Sequence, residues 1–340
     1  MGPRILIVNV NWLGDVLFST AAIRALRKHQ PSATIACLLP SRCAPALRNN
    51  PYLNEIIPYE ERRSMTAWAE HGRLIGELRK RHFDRAIFFH RSKTKVFLAV
   101  LAGIQERIGY AALSRDWFLT RTYEAPLEKI HRIDYFLNLL ENMGIPPDGR
   151  TLDFFPDAEA EASLERLLQC HGIPQGAAYV VVHPGGNWAF KQWPADYFVE
   201  WIRLFLNQFP YKVILCGTKS EEGISKQIES HFRGKEVISL CGETSLDVLA
   251  ILLRKARFLL SNDSGPVHLA ASQETKILAL FGPTSPGITG PVSKNRMILL
   301  HKDVGCEIPC YFRSCNYRVC MEWLKPQEVF EKTLELLSYV

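Results

Sequence analysis

Four short segments carry residues whose types and spacing suit chemistry on an anionic substrate. Asn11-Trp12-Leu13-Gly14-Asp15 sets a carboxylate behind a glycine where a helix is about to begin. Backbone N–H groups and the helix dipole stabilise an ionised carboxylate there, so Asp15 reads either as a helix cap or as a general base. His183-Pro184-Gly185-Gly186 opens a second segment that runs on to Lys191 and Trp193-Pro194. Two glycines let backbone N–H groups approach a phosphate, and Lys191 adds a point charge. Trp193-Pro194 suits locking the start of the next helix. In Ser261-Asn262-Asp263-Ser264-Gly265-Pro266-Val267-His268, Pro266 favours a helix start. The free amides of Ser264 and Gly265 would form an anion site there, and Asp263 could accept hydrogen bonds from sugar hydroxyls. His268 reads as a ligand or as a packed polar residue. Gly282-Pro283-Thr284-Ser285-Pro286-Gly287 is a rigid turn, which could offer hydroxyls and amides to a phosphate or be a turn only. No segment has the G-x-G-x-x-G dinucleotide pattern, which disfavours a nicotinamide oxidoreductase.

The elements that must position these segments alternate. Apolar runs predict strands at Ile5–Val10, Thr34–Leu39, Arg85–Phe89 and Arg107–Tyr110. Helical spacing falls at Val16–Lys28, Lys95–Leu101 and Ile133–Met143. The break Pro146-Pro147-Asp148-Gly149 marks a domain boundary. Beyond it the alternation restarts: helices at Glu159–His171, Asp196–Phe209, Leu246–Lys255, Val267–Ala271 and Pro326–Leu337, with strands at Tyr179–Val182, Lys212–Cys216, Phe258–Leu260 and Lys276–Phe281. The expected fold is α/β: two Rossmann-like, doubly wound parallel sheets facing a cleft, with all four segments at strand C-termini where such sheets bind ligands. Together the segments describe a sugar-diphosphate site facing Asp15.

Composition agrees with a globular enzyme. Of 340 residues, 47% are hydrophobic and 22% charged, which excludes disordered, collagenous and disulfide-scaffold classes. The longest uncharged apolar stretch, Val96 to Ile104, is far shorter than the ~20 residues of a membrane-spanning helix. A cytoplasmic protein is expected. Residues 1–150 carry a net charge of +8 and residues 151–340 carry −2. The first half therefore suits an anionic partner, a phosphorylated acceptor, a membrane surface or nucleic acid, unless its charges are simply scattered over the surface. Cys37, Cys43, Cys170, Cys216 and Cys241 read as small buried hydrophobes. Cys306, Cys310, Cys315 and Cys320 fall at C-x3-C-x4-C-x4-C spacing, which lacks paired C-x2-C knuckles. A structural metal, free or buried thiols, and disulfides all remain open for them.

Taken in order, Leu13-Gly14-Asp15, Pro184-Gly185 with Lys191-x-Trp193-Pro194, Asn262-Asp263-Ser264-Gly265 with His268, and Gly282-Pro283-Thr284 resemble the ADP-heptose:lipopolysaccharide heptosyltransferases, glycosyltransferase family 9. The resemblance covers nearly the whole chain, including Ala102-Gly103-Ile104 and Gly109. It implies a GT-B fold with an acceptor-binding domain at 1–150, an ADP-heptose-binding domain at 151–324, and a terminal helix at 325–340 packing back on the first. It implies inverting transfer of heptose from ADP-L-glycero-beta-D-manno-heptose onto the lipopolysaccharide inner core, as the second heptose of a Kdo2-lipid A core, without an essential catalytic metal. Asp15 would be the base and Lys191 would neutralise the departing diphosphate. Gly185, Gly186, Asp263, Ser264, Gly265 and His268 would hold the heptose and the phosphates, Glu221 the ribose and Thr244 the adenine.

Trp12, Arg91, Lys93 and Lys95 are the expected acceptor contacts. Arg79, Lys80 and Arg81 are either further ones or a solvated helix face. The expected partners are ADP-heptose, a phosphorylated lipid A-core acceptor and, peripherally, the inner face of the inner membrane, with no nucleic acid. The cysteine run departs from the best-known members. Cysteine-rich tails occur in branches of the family that the chain resembles, and a protein-heptosylating branch carries a cysteine-bound iron, so a protein acceptor is the alternative. A nucleotide-sugar epimerase would need a clustered Glu/His pair that the motifs do not show.

Overall fold

The computed structural model describes residues 2–61, 67–112, 116–234, 236–310, 315 and 317–338. Two compact units meet at Phe155/Pro156. The first contains β1 (Arg4–Val8), α1 (Leu13–His29), β2 (Thr34–Pro40), β3 (Glu55–Tyr59), α2 (Ala67–Lys80), β4 (Arg85–Phe88), α3 (Lys93–Leu101), β5 (Glu106–Tyr110), β6 (Arg121–Tyr123) and α4 (Arg132–Asn142). The second contains α5 (Ala160–Cys170), β7 (Tyr179–His183), α6 (Ala195–Gln208), β8 (Lys212–Leu215), α7 (Glu222–Glu229), β9 (Val237–Ser239) and α8 (Leu246–Lys255). It continues through β10 (Leu259–Asn262), α9 (Gly265–Ser272), β11 (Ile277–Phe281), α10 (Pro286–Thr289), β12 (Met297–His301), α11 (Val319–Glu322) and α12 (Pro326–Leu337).

Each unit holds one six-stranded sheet, ordered β3-β2-β1-β4-β5-β6 in the first and β12-β11-β10-β7-β8-β9 in the second. Every strand pair is parallel. Counted from its own first strand, each sheet has the same 3-2-1-4-5-6 order, whose direction reverses between β1 and β4 and between β7 and β10. A crevice opens beyond the strand ends at such a switch point. The Asp15 segment follows β1, the double-glycine segment follows β7 and the Asp263 segment follows β10, so three of the four segments stand at the two switch points.

The strands beyond those expected are β3, β6, β9 and β12, and these are the four sheet edges. An edge strand is covered less completely than a central one and needs no continuous apolar run. β6 is largely exposed, whereas β7 is buried at all five positions. The core of the second unit is built around Trp193 and Trp201, both fully buried, and truncating either to Ala costs about 3–5 kcal/mol.

The domain boundary falls slightly later than the Pro146–Gly149 break. Buried Arg24 of α1 binds Asp148 (2.9 Å), Asp153 and the carbonyl of Thr151 (3.0 Å), and Thr20 Oγ1 accepts from the Asp153 amide. These contacts keep the chain on the first unit past residue 150. The buried face of α12 packs on α6, β11 and β12 of the second unit, with Trp201 Nε1 donating to Thr333 Oγ1 at 3.1 Å. Its apolar residues Val329, Phe330 and Leu336 thereby complete that unit's core.

Cys37, Cys43, Cys216 and Cys241 are buried as expected, but Cys170, at the outward-facing end of α5, is exposed. Among the described residues, no helix is long and apolar enough to cross a membrane.

Candidate active site

In the second unit the polar side chains beyond β7 and β10 bind one another. Asn262 ends β10 fully buried. Its Nδ2 donates to the carbonyls of Pro184 (2.8 Å) and Gly185 (3.0 Å), and its Oδ1 accepts from the Trp193 amide at 3.0 Å. One side chain therefore fixes both ends of the double-glycine segment. Trp193 is held in turn by Nε1 donating to the Leu324 carbonyl at 2.7 Å, and Pro194 caps α6. Inside this frame Lys191 Nζ lies 2.8 Å from Asp263 Oδ2, and Thr284 Oγ1 donates to the same oxygen at 2.6 Å. Asp263 is 4% exposed, and a carboxylate so deep is retained when it is paired and hydrogen-bonded. Of the fourth segment's hydroxyls, that of Thr284 is thus donated to Asp263.

Ser264 is the N-cap residue of α9, with Gly265 and Pro266 in the first turn and His268 buried one turn in. The helix N-terminus thus faces the same strand-end region as Gly185 and Gly186. Gly186 adopts φ 151°, and a Cβ on Gly185 would stand 2.1 Å from Glu221 Oε1. Both positions therefore require glycine. Glu221 accepts from the Thr218 amide (2.7 Å) and hydroxyl (2.8 Å), and its Oε1 is 3.4 Å from His183 Nε2. Burial pushes the Glu221 carboxyl up, but the contacts to His183 and Thr218 outweigh it and hold the group down at about 2. Thr244 is half-buried just before α8, in a loop tied to the Glu221 loop by Gly242 N donating to the Gly217 carbonyl at 2.9 Å. The expected donor-side residues therefore follow the C-terminal ends of β7 to β10, with Gly265 opening α9 and His268 one turn into that helix.

In the first unit α1 begins at Leu13, so Asp15 lies in the first turn and Trp12 is the N-cap residue. Asp15 is not the cap. Its Oδ1 faces Arg132 Nε at 3.3 Å, and that guanidinium stacks on Tyr135 and Phe136. Trp12 is 58% exposed beneath the Arg42 guanidinium. Asn11 Oδ1 accepts from Lys95 Nζ (2.8 Å) and from the Tyr59 hydroxyl (3.2 Å), while Asn11 Nδ2 donates to Glu61 at 2.6 Å and Glu61 pairs with Arg42. Lys95 also lies over the Tyr59 ring at 4.7 Å, and burial pulls its ammonium down to about 8.

Of the expected acceptor contacts, Trp12 and Lys95 join this cluster. Arg91, on the loop entering α3, and Lys93, the first residue of that helix, are exposed, with Arg91 donating to the Ala111 carbonyl. Arg81 binds Glu55 at the start of β3, and its carbonyl accepts from Arg4 at the start of β1. Arg79 donates to the carbonyl of Leu101 at the far end of α3. Arg79, Lys80 and Arg81 thus lie at the end of the sheet opposite Asp15. Arg42, Glu61, Tyr59 and Arg132 carry no local motif, because they converge on Asn11 and Asp15 from segments distant in sequence. Asn262 and His183 sit inside the quoted motifs, but their partners are distant in sequence.

The four clustered cysteines line a cavity of about 340 Å³ together with Trp188, Phe190 and Pro283. All four are free thiols. Among the described residues, no three His, Cys, Asp or Glu side chains come together in a way that could hold a metal ion, so the structural-metal reading lacks a ligand set. Residues 311–314 and 316, inside this run, lie outside the described residues. Cys310 N donates to the Pro283 carbonyl at 2.7 Å, and Cys320 and Met321 pack on Gly282. The cysteine segment therefore braces the Thr284 turn.

Two parallel sheets of this order give the chain the GT-B fold of the solved heptosyltransferases. The sequence profile of glycosyltransferase family 9 (heptosyltransferase) matches residues 71–318. The chain belongs to that family. It is 26% identical to lipopolysaccharide heptosyltransferase 2 of Salmonella typhimurium, over 98% of this chain and 99% of that one. Its fold is similar to those of Escherichia coli ADP-heptose lipopolysaccharide heptosyltransferase II (TM-score 0.81, 24% identity, 98% of each chain) and a family 9 glycosyltransferase from Veillonella parvula (TM-score 0.89, 22% identity, 98% of this chain and 97% of that one).

Proposed function

We propose that this glycosyltransferase moves heptose from ADP-heptose onto a phosphorylated lipopolysaccharide inner core, adding the second heptose with inversion. The observation that carries the reading is the Lys191–Asp263 pair at the mouth of α9, beside Gly185 and Gly186. A cation, a buried carboxylate and unspent helix-start amides suit a sugar diphosphate better than an uncharged sugar. The near full-length similarity to lipopolysaccharide heptosyltransferase 2 supports the choice of sugar and acceptor.

Inversion is a single displacement through an oxocarbenium-like state. It needs a base on the acceptor hydroxyl and neutralisation of charge on the leaving ADP. Asp15 takes the acceptor proton, and Arg132 holds the carboxylate in place. Lys191 and the amides of Ser264 and Gly265 receive the diphosphate charge, with His268 supporting that helix turn. Asp263 accepts from heptose hydroxyls, Glu221 from the ribose, and Thr244 meets the adenine. On the acceptor side, Trp12 offers an apolar face to a sugar ring. Lys95, with Arg91 and Lys93 at the rim, meets phosphate or carboxylate groups, and the same basic half suits peripheral attachment to an anionic membrane surface. The test is ADP release from ADP-heptose with and without a heptose-bearing lipid A core. Acceptor-dependent release with a heptose-sized mass gain on the lipid is expected. Donor binding with no transfer to the lipid would contradict the proposed acceptor.

A further inference from the structure

His183 has no part in the roles assigned above, yet it touches two of the loops that carry them. It closes β7 opposite Ser261 of β10, and its ring is 2% exposed. Nδ1 lies 3.0 Å from Ser264 Oγ and 3.4 Å from Ser261 Oγ, while Nε2 lies 3.4 Å from Glu221 Oε1. A carboxylate only accepts, so the nitrogen facing Glu221 carries the hydrogen. The other nitrogen of a neutral ring then accepts from the Ser264 hydroxyl, because the Ser261 hydroxyl donates to the Asn262 carbonyl at 2.7 Å. The second oxygen of Glu221 is already taken by the Thr218 amide and hydroxyl. Glu221 is thereby held from both sides, and Ser264, which starts α9, is held to the same ring.

We infer that His183 is a positioning residue that joins Glu221 and Ser264 into one donor-holding unit, so that the nucleoside end and the diphosphate end of the donor are gripped together. This rests on the heptosyltransferase reading. A histidine that merely fills the core would leave Glu221 and Ser264 acting separately. A bridging one makes removal of either end disable the other, and distant groups that share no such bridge give losses that multiply.

The test is the ADP dissociation constant of the wild type, Glu221→Gln, Ser264→Ala and the paired variant, all of which retain His183. Each single change is expected to weaken ADP binding about tenfold, with the pair no more than about threefold weaker than the worse single. His183→Gln, which keeps an amide donor toward Glu221, should raise the ADP-heptose KM while kcat stays within about threefold. His183→Leu should raise that KM further. Losses that multiply toward about a hundredfold in the pair, or wild-type ADP affinity in His183→Leu, would overturn the inference and leave the functional reading standing. A wild-type protein that binds no ADP would overturn both.

Discussion

Beyond β7 and β10, small and buried polar side chains bond to one another: Asn262 to the Pro184 and Gly185 carbonyls, Asp263 to Lys191 and Thr284, His183 to Ser264 and Glu221. Beyond β1 and β4, on a sheet of identical strand order, the side chains are long, charged and half-exposed, with Arg42, Lys95 and Arg132 stacked on Trp12, Tyr59 and Tyr135. Topology places a crevice at both switch points and leaves its chemistry to the loops. A preformed cradle with few rotatable bonds suits one constant donor. A rim of long side chains over aromatic faces suits a larger and more varied acceptor surface.

If the two regions divide the reaction in this way, damage to each should read out differently. The largest effect is expected for Asp15→Asn, which should lower kcat by about 10²–10⁴ with ADP affinity within about twofold of wild type. Parallel loss of ADP binding in calorimetry would break the division. Lys191→Met should reduce both transfer and ADP affinity, transfer by about a hundredfold. It should also destabilise the fold by about 3 kcal/mol in urea unfolding, because Asp263 loses its cation; Asp263→Asn in that background should recover much of the stability.

Glu221 ties stability to pH. Its carboxyl is held at about 2 against an ordinary 4.5, so its contribution is complete above about pH 4.5 and is lost as pH falls through about 2. Glu221→Gln should therefore cost about 1–3 kcal/mol at pH 7 and progressively less toward pH 3, followed by denaturant midpoints. Lys95 titrates in the other region. Burial lowers its ammonium to about 8, so its charge is present below that pH and lost above it. The acceptor KM should rise about threefold or more from pH 7 to 9, and Lys95→Met should flatten that rise without changing donor KM. The smallest effect is expected for Arg91→Ala and Lys93→Ala, each within about twofold in acceptor KM, since both residues are exposed at the rim.

The same contrast explains what the sequence disclosed. The second region was legible because its glycines, proline and small polar residues sit in contiguous motifs at strand ends. The central strands were legible because burial on both faces demands unbroken apolar runs. Edge strands such as β6 carry no such demand. In the first region Asp15 and Trp12 could be read from one segment. Arg42, Tyr59, Glu61 and Arg132 could not, because only the fold brings them beside Asn11 and Asp15. Thr284 was in a quoted motif, but the partner that takes its hydroxyl lies 21 residues away. The Arg79–Arg81 run, open between acceptor contacts and a solvated helix face, ties the opposite end of the sheet.

The division of labour is tested most directly by hydrogen–deuterium exchange with ADP alone. Slower exchange is predicted in segments 183–187, 217–221 and 262–266, where backbone amides and their supports meet the nucleotide. Protection confined to segments 9–15 and 91–95 would contradict the account, because it would put the donor on the first unit.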